Sequence, residues 1–370
     1  MIGYPKIYTR FKNIASKWGE IFNPTHAGFV GLDIGNGAVK LIALQKNYDG
    51  WWATAAAYAL VEPAQDQAVR EENIVRAIHE CFVKAEITAS RNAVCGLSGP
   101  EVAVRGFSFP SLPDEALEQA IQLEAQQVCA FDPGHSIVDF QLIEEDSPLR
   151  PDENQAIRKG YFVVGLEDAV NQKIRLAQQA RIKPAILDVN SLAALNCLCQ
   201  LEDSLSNEPF ALLDVGHTHS YLVILGSDGM PFVRDLTCSS QQIVATISGQ
   251  SKKTVPEVRN ELAEDLFDDE RPEIAMKTAC GKLIADVMET LRFYSLQGNT
   301  EKVSRMYLCG GLASAKSFVR LMKQALPIQV MVFDPSGKIH CVTGSKTEKI
   351  LKQYGPDMAV AVGLAMRSEE

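Results

Sequence analysis

Two short stretches of this 370-residue chain repeat the same chemistry at the same spacing. Gly31-Leu-Asp-Ile-Gly-Asn-Gly-Ala-Val-Lys-Leu-Ile-Ala-Leu44 aligns with Leu212-Leu-Asp-Val-Gly-His-Thr-His-Ser-Tyr-Leu-Val-Ile-Leu225. Asp33 pairs with Asp214, Gly35 with Gly216, Leu41 with Leu222 and Leu44 with Leu225, all at one offset. A phosphate chain needs dense N–H donors and little side-chain bulk. Turns built on Gly35, Asn36 and Gly37, and on Gly216, His217 and Thr218, would let the backbone approach and aim its amides inward. Lys40 could add a positive charge toward phosphate oxygens. Asp33 and Asp214, at strand ends facing one cleft, could hold a hydrated Mg²⁺, which keeps several waters and takes one or two carboxylates. A third apolar strand ends at Gly310-Gly311. The set predicts a nucleotide site between two related halves.

The elements that must position these residues follow from apolar patterning. Each repeat reads as strand, tight turn and returning strand. Gly50–Tyr58 reads as a third strand, residues 71–85 as a helix with Ile74, Ile78 and Phe82 on one face, and Asn92–Leu97 as another strand. Ile137–Ile143 and Tyr161–Val164 read as strands, with helices over 114–129, 167–180 and 276–297. The chain ends in a small-residue helix, Met358–Met366, in which Ala361 and Gly363 would permit close packing. This alternation is α/β architecture. The expected division runs as follows. Residues 1–28 form an extension; 29–106 and 182–206 form the first lobe, with 107–181 inserted. Residues 207–235 and 301–350 form the second lobe, with 236–300 as its smaller subdomain. Residues 351–370 return to close the first lobe.

Composition narrows the function. The chain is 46% hydrophobic and 22% charged, with a formal net charge of -10. An acidic protein of this kind is a poor binder of nucleic acid through its bulk field. The nine cysteines are scattered, with no C-x-x-C pair, which predicts free thiols in a reducing compartment and no structural metal. No run of about eighteen apolar residues is present, nor a signal peptide, so a cytoplasmic location is expected. Residues 1–28 carry Lys6, Arg10, Lys12 and Lys17 against Glu20, with Ile7, Phe11, Ile14, Trp18 and Phe22 on one helical face. That face favours docking on the body. A basic amphipathic helix over 1–24 also suits the surface of an anionic membrane.

These motifs resemble the actin/Hsp70/sugar-kinase superfamily. Asp33, Gly35, Asn36, Gly37 and Lys40 match its first phosphate loop; Asp214, Gly216, Thr218 and Ser220 match the second. Cys309-Gly310-Gly311 matches its adenosine loop. Within it, from about Phe29 onward, the chain is similar to the PilM family of type IV pilus assembly proteins. The resemblance rests on Asp-Ile-Gly-x-x-x-Val-Lys-Leu, on Leu-Glu-Ala-Gln-Gln ahead of Phe131-Asp-Pro, on Ile186-Leu-Asp-Val189 and on the ending Ala-Val-Gly-Leu-Ala-Met-Arg367. It implies a duplicated, actin-like (ribonuclease H-like) two-lobe fold with an FtsA-type 1C subdomain over 107–181. It also implies ATP with Mg²⁺ as ligand, and a place at the inner membrane, bound to the cytoplasmic N-terminal peptide of a PilN-like protein. Pilus motor ATPases are further partners on this reading. The peptide is expected in a groove between the first lobe and the insert, walled by Val102, Val104 and Phe107 of one strand and Leu117 and Ile121 of the next helix, with Glu101 and Arg105 at the rim.

Departures from the family point to slow or absent hydrolysis. Asn190 stands where most relatives carry Glu, and Ser239-Ser240 where they carry Gly-Gly. Pro256-Glu-Val-Arg-Asn-Glu-Leu lacks the Lys that clasps adenosine. His217 and His219 read as loop or packing residues, and no residue reads as catalytic. An FtsA-type filament protein and a small-molecule kinase of the same superfamily are the alternatives.

Overall fold

The computed structural model describes residues 29–87, 92–110, 112–128, 133–143, 157–205, 208–264, 270–297 and 302–367. The expected N-terminal helix lies outside them. Two five-stranded sheets have the same plan. The first contains β1 (Val30–Ile34), β2 (Ala38–Asn47), β3 (Gly50–Leu60), β4 (Asn92–Leu97) and β8 (Lys183–Val189), in the order β3-β2-β1-β4-β8. The second contains β9 (Phe210–Val215), β10 (Ser220–Leu225), β11 (Pro231–Leu236), β12 (Arg305–Cys309) and β13 (Gln329–Val332), in the order β11-β10-β9-β12-β13. In each, three antiparallel strands precede two parallel ones. The repeat seen in the sequence is a repeat of register: Asp33 lies opposite Lys40, and Asp214 opposite Tyr221. β1 and β9 are buried along their whole length, as uninterrupted apolar runs in a doubly covered sheet should be.

Helices cover these sheets. α1 (Gln67–Lys84) starts at Asp66, whose side chain accepts from the Val69 amide, and buries Ile74, Ile78, Cys81 and Phe82. α4 (Asn190–Leu201) and α10 (Ala359–Ala365) cross beside β1. A side chain on Gly31 would meet the Ala365 amide nitrogen at 2.6 Å, and one on Gly363 the Ala193 carbonyl carbon at 2.5 Å. The two small residues therefore set how closely backbone meets backbone. On the second sheet, α5 (Ser240–Ser251), α6 (Val255–Glu264), α7 (Glu270–Leu296) and α8 (Lys316–Ala325) form the outer layer. α9 (Lys346–Tyr354) packs on β3 and returns the chain to the first sheet.

Between β4 and β8 lies a smaller sheet of β5 (Val102–Pro110), β6 (Ser136–Leu142) and β7 (Ile157–Leu166), in the order β5-β7-β6, with α2 (Asp114–Val128) on one face. Phe107, Leu117, Ile121, Phe162 and Val164 form its core. Its other face, with Val102, Val104, Tyr161 and Val163, joins the core of the first sheet. α3 (Glu167–Gln179) packs against α1, where Glu71 accepts from Gln172 and Arg175. The division expected between 106 and 107 falls inside β5, that between 235 and 236 inside β11, and that between 350 and 351 inside α9.

Candidate functional site

Both hairpin turns are tight for the same reason. Gly35 donates to the Ala38 carbonyl at 3.1 Å, and a Cβ there would lie 2.8 Å from that oxygen; at Gly216 a Cβ would collide with the His219 carbonyl. The turns project toward each other from the two sheets and touch. Asn36 Nδ2 donates to Thr218 Oγ1 at 3.0 Å. The His217 ring lies on Gly37, where a Cβ would sit 2.5 Å from Cγ. Behind the second turn, the amides of Ser240 and Gln241 donate to the carbonyls of Gly216 and His217. Ser239, buried, caps that helix in a capping box with Gln242. The serine pair thus anchors the second loop to α5. Burial lowers the His217 pKa, and the nearby Arg259 and Lys40 charges add to the effect, so its ring is neutral at pH 7 and packs as an aromatic.

The residue facing each aspartate across its hairpin also bonds to it. Lys40 Nζ lies 3.1 Å from Asp33 Oδ2, and Tyr221 donates its hydroxyl to Asp214 Oδ2 at 2.9 Å. Asn190, at the start of α4, donates to Asp33 Oδ1 at 3.5 Å. Burial pushes the Asp214 carboxyl up to about 6, against the pull of Lys40 and Tyr221. Gly310 has φ 83°, and a Cβ on it would meet Asp214 Oδ1 at 2.5 Å. Only glycine lets this turn pass the carboxylate. Asp33, Asp214, Lys40, both hairpin turns and Gly310-Gly311 are thus brought to one place, as their spacing implies.

Several residues of this cluster have no counterpart in the sequence reading. Asp357, just ahead of α10, pairs with Lys40 at 2.8 Å through Oδ1 and accepts from the Tyr58 hydroxyl at 3.2 Å through Oδ2. Tyr58 stacks on Tyr354 with ring centroids 3.9 Å apart. Burial alone would lower the Lys40 pKa, but Asp357 and Asp33 outweigh it and hold it well above its usual value. Lys173 of α3 reaches the Ile34 carbonyl, one residue before the first turn, at 2.9 Å; burial draws its pKa down despite Asp33. The one available signal for Asp357 was an acid in an otherwise apolar run, Gly355-Pro-Asp-Met358.

Phosphate fits the donor set. The amides of Asn36, Gly37, His217 and Thr218 make no hydrogen bond among the described residues, so the facing turns offer N–H donors from both sheets. Asp33, Asp214 and Asp357 are the carboxylates that stand beside Lys40 and the Gly310-Gly311 turn. Among the described residues no group of three or more His, Cys, Asp or Glu is placed to hold a metal ion without the phosphates.

The structure places the expected partner walls inside the fold. Val102, Val104, Phe107, Leu117 and Ile121 are 1–5% exposed. Phe107, Leu117 and Ile121 fill the small sheet's core, while Val102 and Val104 face the seam with the first sheet. That seam holds a cavity of about 10 Å³ beside Gly99, Ser191 and Tyr221, near the minimum for one water. Periodicity found the apolar faces, but both are covered by the chain itself. Glu101 and Arg105 are exposed, as a rim requires.

A model of the family described as type IV pilus assembly protein PilM matches residues 31–369. Among solved structures, the chain is similar to one titled PilM-PilN type IV pilus biogenesis complex. Identity is 23%, with 93% of this chain and 99% of that chain covered and a TM-score of 0.78. It is also similar to the ethanolamine utilization protein EutJ from Carboxydothermus hydrogenoformans, at 12% identity, 95% and 94% coverage and a TM-score of 0.55. The fold is that of the actin-like ATPases. With a family match over nearly its whole length and both hairpins of the repeat in register, this chain belongs to the PilM family of type IV pilus assembly proteins.

Proposed function

We propose that the protein is the actin-like adaptor of a type IV pilus assembly system. It takes the cytoplasmic N-terminal peptide of a PilN-like inner-membrane protein and binds ATP with Mg²⁺ between its lobes. The observation that carries this reading is the likeness to the PilM-PilN complex over 99% of that chain. Among the described residues no helix is long and apolar enough to cross a membrane.

The peptide lies at the edge of β5 that has no hydrogen-bonded strand partner, beside β11 of the second sheet. With the neighbouring apolar side chains covered, recognition falls on the strand's backbone and on rim charges such as Arg105, as in strand addition. Titration of a PilN-like N-terminal peptide into the full chain should show binding, weakened about tenfold or more by Arg105→Glu, which reverses a rim charge. Lys40→Ala should leave it unchanged. Equal binding by the Arg105→Glu variant would move the site elsewhere, and no binding by the wild type would remove the adaptor reading.

Hydrolysis is slow or absent on this reading. Asn190 offers an amide where a carboxylate base would act, and that amide already engages Asp33. General-base assistance is worth about 10²–10⁴-fold. Phosphate release should stay below roughly 1 s⁻¹, the low end of ordinary turnover; a faster rate would show that another group supplies the base.

A further inference from the structure

The cation expected to meet phosphates is already neutralised inside the cleft. Lys40 sits between Asp33 at 3.1 Å and Asp357 at 2.8 Å. Asp33 comes from its own hairpin, as the equivalent Tyr221–Asp214 contact does in the second lobe. Asp357 comes from the far end of the chain and has no equivalent in the repeat. Its carboxylate stands between Lys40 and the Gly310-Gly311 turn: a Cβ on Gly311 would lie 3.8 Å from Oδ2. It is held there from behind by the Tyr58 hydroxyl and by the Gly310 amide, which donates to the Pro356 carbonyl at 3.0 Å. Its side chain is only 15% exposed.

We propose that Asp357 is the cleft's own anion. It occupies the phosphate-facing side of Lys40, so a nucleotide binds only by displacing it, and it sets how weakly the chain binds nucleotide. The charge balance agrees. Asp33, Asp214 and Asp357 lie about Lys40, with Lys173 the other lysine near Asp33, and a triphosphate entering beside Asp357 meets a like charge and a cation already spoken for. The Asn36–Thr218 and His217–Gly37 contacts close the same space from the turns. All three closures engage residues that a phosphate would use.

The inference rests on the nucleotide reading above, and the test separates the two. Wild type, Asp357→Asn and Asp357→Ser, each as the full chain, are titrated with MgATP by calorimetry and melted without nucleotide. Both substitutions should tighten MgATP binding by about 10- to 100-fold, the worth of a charge-assisted bond to Lys40. Both should also lower the melting temperature of the nucleotide-free protein, because Lys40 loses a partner, and saturating MgATP should restore it. A merely structural residue would lower both stability and affinity. Measurable binding that the substitutions leave equal or weaken would overturn the role of Asp357 while keeping the nucleotide site. No binding by any of the three, with all three folded, would overturn both.

Discussion

Replacing Arg367 with alanine should cost about 3–5 kcal/mol of stability, the range for removing one member of a buried ion pair. Arg367 Nε meets Asp188 Oδ2 at 2.8 Å, with side chains 5% and 3% exposed. Asp188, the penultimate residue of β8, also accepts from the Val189 amide through Oδ1 at 2.7 Å. The pair therefore fastens the segment just after α10 to the strand that leads into α4. Burial raises the Asp188 pKa, and Arg367 is the charge that opposes the rise. Without the guanidinium, the carboxylate either stays charged in an apolar surrounding or takes a proton. A buried carboxyl with a raised pKa binds its proton more tightly when folded. Stability then falls as pH rises between the unfolded and folded values. The deficit in the Arg367→Ala variant should accordingly shrink on acidification through that interval. Urea unfolding at neutral pH and near pH 4 reads both effects. A deficit under about 1 kcal/mol, the size of an exposed pair, would show that the pair is solvated in solution.

The second large effect is at Gly363, and here two physical arguments give opposite signs. Helix propensity alone favours Gly363→Ala by about 0.8–1 kcal/mol. Packing opposes it, because the new Cβ would stand 2.5 Å from the Ala193 carbonyl carbon and closer still to its oxygen. The obstacle is backbone, so no rotamer relieves it, and α10 must move off α4. Overpacking of this kind typically costs 1–3 kcal/mol, sometimes more, and we expect about 3 kcal/mol net destabilisation. Gly249, inside α5, and Gly281, inside α7, have nothing within 4 Å of the added atom. Alanine at either should stabilise. Thermal denaturation of the three variants tests the contrast; stabilisation by all three would mean that α4 and α10 are less closely packed than described.

The sequence was most readable where the constraint is local. The hairpin repeat at a fixed offset specified strand, turn and register together, because a tight turn fixes both; Asp33–Lys40 and Asp214–Tyr221 are opposite pairs as a result. The small residues of the last helix also announced a close crossing. The expected partner walls show what periodicity leaves open. An apolar stripe states that a face is covered, without stating by what, and Phe107, Leu117 and Ile121 are covered by each other and by β7. Asp357 and Lys173 were invisible because their roles depend on where distant segments return. One follows α9 and the other lies on a helix whose flanking residues read simply as surface.

The contact of Gly31 with Ala361 and Ala365 has a consequence for synthesis. The central strand of the first sheet emerges from the ribosome long before the helix that covers it. Strands β9 to β13, by contrast, come from one continuous stretch. The second lobe can therefore close during translation, while β1 waits with an apolar face open until α10 has been made. Long-range closure of this kind is slow, and waiting strands are prone to aggregation. A truncation that removes α10 should accordingly leave the second lobe folded and drive the first into insoluble material.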